Sequence, residues 1–110
     1  MLLSTDIWAS ALIRRAELAG AFATVARKGD ARAGAVLVKV VNRRLGEAWL
    51  YASAVRGDGE QVWMQPVPSR EEPDVDAYIE RQIRFDPDIW VVEIEDHQGR
   101  HFLTEPVEIR

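Results

Sequence analysis

The chain has 110 residues, 47% of them apolar and 29% charged, with a formal net charge of −4 and no cysteine. That length makes one domain, and the missing thiols exclude disulfides and thiolate chemistry. No apolar run reaches the roughly 20 residues of a membrane span, and MLLSTDIWASALIRR lacks the basic n-region of a signal peptide, so a cytoplasmic protein is expected.

In chain order, Ile7, Ala9, Ala11 and Ile13 alternate with Trp8, Ser10 and Leu12, which predicts a strand near 6–14. Ala16, Leu18, Ala19, Phe22, Ala23, Val25 and Ala26 then recur at three- and four-residue steps, predicting a helix near 15–28 closed by Gly29. The competing reading is one helix from Thr5 to Ala19 followed by a second element. GDARAG is a loop. AVLVKVV reads as a strand with Val36, Val38 and Val40 on one face and Leu37, Lys39 and Val41 on the other. Apolar residues on both faces place it centrally.

NRRLG turns the chain into the strand EAWLYASAV, and RGDGE turns it again into QVWMQPV, which Pro66 ends or places at an edge. SREEPDVDAYIERQIRFDP is the second helix, with Val75, Tyr78, Ile79 and Ile83 inward. Pro87 stops it at about Phe85. DIWVVEIED is the last clear strand, RHFL is expected to return beside it, and residues 105–110 to form a tail. The sum is a single α+β domain. It has one layer of about five mostly antiparallel strands with two helices on one face, ordered strand, helix, three strands, helix, strand.

Acids and two histidines crowd the stretch RFDPDIWVVEIEDHQGRHF. A metal or acid–base site needs three or four of them to converge, and Glu93, Glu95 and His101 are the candidates. A hairpin explains the same residues without a metal: Asp96 opposite Arg100, Glu95 opposite His101 and Ile94 opposite Phe102, each acid with a basic or titratable partner. The hairpin is the preferred reading.

Elsewhere, the glycines of RKGDARAG follow a helical pattern instead of opening one, which suits a phosphate cradle badly, although Arg27, Lys28 and Arg32 are candidate anion ligands. Ser10, Ser53 and Ser69 lie in no GxSxG elbow. Trp49 and Tyr51 share one face of their strand, and with Trp63 on the next they are the candidate interaction patch. The basic residues Arg14, Arg15, Arg27, Lys28, Arg43 and Arg44 would bind an anion or RNA if gathered on one face, but the acidic balance of the chain argues against nucleic acid.

WASALIRRAELAGAFATVARKGDARAGAVLVKV, WLYAS and RFDPDIWVVEIEDHQGRHFL closely resemble the small proteobacterial domain-of-unknown-function family numbered fourteen ninety-one, over residues 6–104. The resemblance implies an intracellular bacterial protein that is a complete single domain, and it carries no activity or catalytic residues to transfer. The expected function is therefore a non-enzymatic module that contacts another protein or a second copy of itself, with no cofactor and no metal. An enzyme built on the acid and histidine cluster is the alternative, and anion or RNA binding the second.

Overall fold

The computed structural model describes residues 3–108. The first element is the helix α1, Thr5–Leu18, where a strand and the start of a helix were expected. Its buried residues, Trp8, Ala9, Leu12 and Ala16, fall on one helical stripe. Alanine permits both periods, so the alternation around it misleads. Gly20, with φ of +91°, terminates the helix: Gly20 N–H donates to the Glu17 carbonyl at 3.0 Å and Ala21 N–H to Ala16 at 2.9 Å, a Schellman closure. Residues placed in the expected 15–28 helix instead form the strand β1, Phe22–Arg27.

The strands β2 (Val36–Asn42), β3 (Glu47–Val55) and β4 (Gln61–Met64) follow as an antiparallel meander. The helix α2, Glu72–Phe85, ends ahead of Pro87 as expected. Then come β5, Trp90–Glu95, and a two-residue strand β6, Val107–Glu108, inside the segment expected to be a tail. The six strands lie in the order β1-β5-β2-β3-β4-β6. β5 is parallel to β2, because the chain returns through α2 before re-entering the sheet, and β6 is parallel to β4. The sheet is thus mixed and six-stranded, not five-stranded and mostly antiparallel.

The two helices cover opposite faces, which corrects the expectation of a single covered face. Val36, Val38, Val40, Trp90, Val92 and Ile94 pack with α1 in one core; Leu37, Val41, Leu50 and Val91 pack with Val75 and Ile79 of α2 in another. All of β2 is buried, as its two apolar faces require. The segment 99–106 straps the α1 face beyond the helix. Phe102 holds φ at +60°, and the Arg15 guanidinium donates twice to its carbonyl, at 3.2 and 3.1 Å. The residues expected to form a return strand beside β5 build this strap instead.

Candidate functional site

Glu93 and Glu95 point to the α2 face, where both are held by cations. Lys39 is 6% exposed and lies 2.7 Å from Glu72, 2.7 Å from Asp76 and 3.3 Å from Glu93. Burial by itself would push its ammonium pKa down, but hydrogen bonds to Asp76 and Glu72 outweigh that and raise it. Arg43 bridges Glu72 and Glu95 at 2.7 Å each. Bonds from Lys39 and Arg43 hold the Glu72 carboxyl below its ordinary range. The network ties α2 to β2 and β5.

His101 lies on the other side of the sheet. Its ring meets Tyr51 edge-on, 5.0 Å between centroids, and its Nδ1 accepts the Leu103 N–H at 2.9 Å. Burial lowers its pKa. The three residues of the expected acid–histidine site are therefore separated by the thickness of the sheet, and among the described residues no group of three or more His, Asp or Glu is placed to hold a metal ion.

The hairpin is also replaced. β5 is flanked by β1 and β2, so no edge is free for RHFL. What survives is the Asp96–Arg100 pair. The buried Asp96 carboxylate takes the Arg100 guanidinium at 2.9 Å through both oxygens and its backbone N–H at 2.8 Å. Those bonds depress the Asp96 pKa. Glu95 pairs with Arg43, not His101, and His97 lies exposed at the turn.

The aromatic patch does not form as expected. Trp63 is fully buried, stacked on Trp8 with centroids 5.2 Å apart. Both indole N–H groups donate to one carboxylate, Glu105: Trp63 at 3.0 Å and Trp8 at 3.2 Å. Desolvation pushes Glu105 up, but the Trp63 and Trp8 bonds prevail and its pKa is lowered. Tyr51 is buried too. Only Trp49 remains partly open, between Gly99 and the Arg70 guanidinium, 5.6 Å above its ring.

Arg27 donates to the Pro87 carbonyl at 2.8 Å, while Lys28 and Arg32 are exposed. Gly29 and Gly34 serve close packing. A Cβ on either would drive into the Asp88 carbonyl and reach the Trp90 ring at 2.6 Å from Gly29 and 2.9 Å from Gly34. The loop also gives its Ala31 and Arg32 carbonyls to the first N–H groups of α1, at 3.1 and 3.3 Å, so that helix end has no anion-binding role to offer. Of the other basic residues, Arg15 is held on the α1 face and Arg43 on the α2 face. They form no common surface.

Two features were not foreseen. One is a cavity of about 1040 Å³ beside β3, lined by Trp49, Leu50, Tyr51, Met64, Pro66, Arg70 and neighbours. The other is the outer edge of β1, whose only sheet neighbour among the described residues is β5. Alternation into β1 was visible in FATVAR, but it was absorbed by the helical reading.

A family model described as "Protein of unknown function (DUF1491)" matches residues 3–104, and the chain belongs to that family. The crystal structure of a DUF1491 family protein from Caulobacter crescentus CB15 is 78% identical and superposes with a TM-score of 0.95, covering 97% of this chain and all of that one. An NMR structure of a DUF1491 family protein from the same organism gives 77% and 0.93, over 99% of each chain. A protein from A. tumefaciens solved in solution is 35% identical with a TM-score of 0.82, covering 100% of this chain and 99% of that one. No curated protein matches the chain. None of these matches carries a stated activity. Among the described residues no helix is long and apolar enough to cross a membrane.

Proposed function

We propose that this member of the DUF1491 family is a non-catalytic, intracellular contact module that pairs with a second copy of itself through β1. The observation that carries the reading is the free edge of that strand. β1 runs for six residues without proline or glycine, its first residue Phe22 is 68% exposed, and the irregularity in its pairing with β5 lies toward its end, between Val25 and Arg27. The opposite end of the sheet is formed by β6, Val107–Glu108. Long unprotected edges are templates for strand addition.

The outward groups can be identified. Trp90 and Asp96 N–H groups donate toward β2, so Val91, Glu93 and Glu95 of β5 face β1 and bond Phe22 and Thr24. Ala23 and Val25 therefore turn their N–H and C=O outward. A two-fold axis at Thr24 sets each Ala23 against the other copy's Val25, which makes on the order of four inter-copy hydrogen bonds.

One strand buries less than the roughly 800 Å² per partner of a stable interface, so micromolar association is expected. Size-exclusion chromatography with light scattering, from about 10 to about 500 μM, should show a mass rising from one chain toward two. Val25→Pro, which removes an outward N–H, and Phe22→Glu should both stay monomeric and folded. A wild-type chain that remains a monomer throughout would refute the reading.

A further inference from the structure

We propose that the part of the β3 cavity on the α2 face binds a medium-length, straight-chain aliphatic carboxylate, with its chain over Ala52 and Ala54 and its head at Arg81. The site lies toward the end of the sheet away from β1 and does not depend on pairing there. Side chains alternate along β3, so Ala48, Leu50, Ala52 and Ala54 share the α2 face. α2 covers the first two, which are buried, and leaves Ala52 and Ala54 half-buried. Met64 stands opposite Ala52 on β4 and is half-buried as well. Val67 and Tyr78, packed at the margin of the core under α2, complete the lining on this face. Two alanines between these larger neighbours make a shallow apolar trough that is open to solvent.

The floor selects hydrocarbon. Ala52 and Ala54 pair with Met64 and Val62 of β4, so the strand has no free edge there for a peptide to join. What faces solvent is methyl and thioether surface, and a flexible chain of methylenes can follow its length. Charge selects the head group and its direction. At the β6 end of the trough Glu108 and Glu60 share one cation, Arg56, at 2.9 and 3.5 Å, which leaves a negative charge that repels an anion. At the α2 end the exposed Arg81 guanidinium lies 5.7 Å from the centroid of the Tyr78 ring and has no ion pair among the described residues. Arg70 lies over Trp49 on the other face and is held by Glu47 at 3.2 Å. A carboxylate drawn to Arg81 stays in contact with water while its chain lies in the trough, as an amphiphile requires.

The test is titration of the isotope-labelled chain at neutral pH with hexanoate, octanoate and decanoate, each to about 5 mM, followed by the methyl shifts of Ala52, Ala54 and Met64. Those shifts should saturate, and each pair of added methylenes should tighten binding by about fivefold or more. Octylammonium, with the same chain and the opposite charge, should bind about fivefold more weakly than octanoate. Arg81→Gln should erase that preference, and Ala52→Leu, whose side chain fills the trough, should remove binding of both. Absence of saturable shifts at Ala52 and Ala54 overturns the proposal. So does equal affinity across the three chain lengths, a carboxylate preference that is missing or survives Arg81→Gln, or undiminished octanoate binding by Ala52→Leu.

Discussion

Glu105 offers the sharpest perturbation, because one carboxylate satisfies two buried indoles at once. Glu105→Ala strands the Trp63 N–H, which lies among fully buried side chains, and the Trp8 N–H stacked against it. A hydrogen bond to a charged acceptor is worth about 1.5–3 kcal/mol, and an unsatisfied buried donor costs a similar amount. Glu105 is itself half-buried, so water reaches part of the space it leaves and the two losses do not simply add. The expected cost is about 2–4 kcal/mol, a large fraction of the roughly 5–15 kcal/mol that holds a typical domain together.

Urea unfolding followed by tryptophan fluorescence measures it directly. Glu105→Gln keeps an acceptor and the shape but loses the charge, so it should fall between wild type and Glu105→Ala. Coupling is the more specific prediction: Trp8→Phe should cost less in the Glu105→Ala background than in wild type, by about 1 kcal/mol. Because the folded pKa of Glu105 is lowered from 4.5, its contribution is complete above that value and fades as pH falls through the folded pKa. A Glu105→Ala stability within about 0.5 kcal/mol of wild type, or strictly additive double variants, would refute the reasoning.

Gly34→Ala and Gly29→Ala should each destabilise by about 1–3 kcal/mol or more in denaturant melts, since the new methyl meets the Asp88 backbone instead of a movable side chain. Lys39→Ala leaves Glu72 and Asp76 of α2 and Glu93 of β5 without their shared cation; because these carboxylates are partly solvated and Glu72 keeps Arg43, it should cost about 1–3 kcal/mol by the same assay, whereas Lys39→Met with Glu93→Gln should recover part of it. Acid should weaken the fold in two windows. His101 is depressed below 6.5 by burial, so the unfolded chain takes up its proton first and stability declines as pH drops below about 6.5. Asp96 and Glu72, lowered by Arg100 and by Lys39 and Arg43, add a second decline below about pH 4. Thermal melts across pH should show both, and His101→Phe should remove the upper one.

Where one period dominated, the sequence was readable. The apolar faces of β2 and the inner stripe of α2, with Pro87 to stop it, match the sequence expectations because burial on both sides or on one helical stripe leaves few alternatives. α1 misled because its alanines satisfy a period of two as well as 3.6, and because Gly20 was passed over in favour of Gly29 as the stop. The hairpin failed for a topological reason: both edges of β5 were taken by β1 and β2, and the β2 pairing depends on a crossover of nearly fifty residues.

The candidate sites fared less well for the same cause. Glu93 and His101 share a short stretch of chain yet lie on opposite faces, and Trp63 is covered by a strap whose path no local pattern encodes. Lys39 was placed on the right face, but its three carboxylates come from α2 and β5.

The most direct measurement of the pairing proposed for β1 is amide hydrogen exchange at Ala23 and Val25, followed at about 10 μM and about 500 μM. Their outward N–H groups should exchange rapidly when dilute and slow several-fold when concentrated, while Phe22 and Thr24, bonded within the chain to β5, stay unchanged. Equal exchange of Ala23 and Val25 at both concentrations would contradict the account.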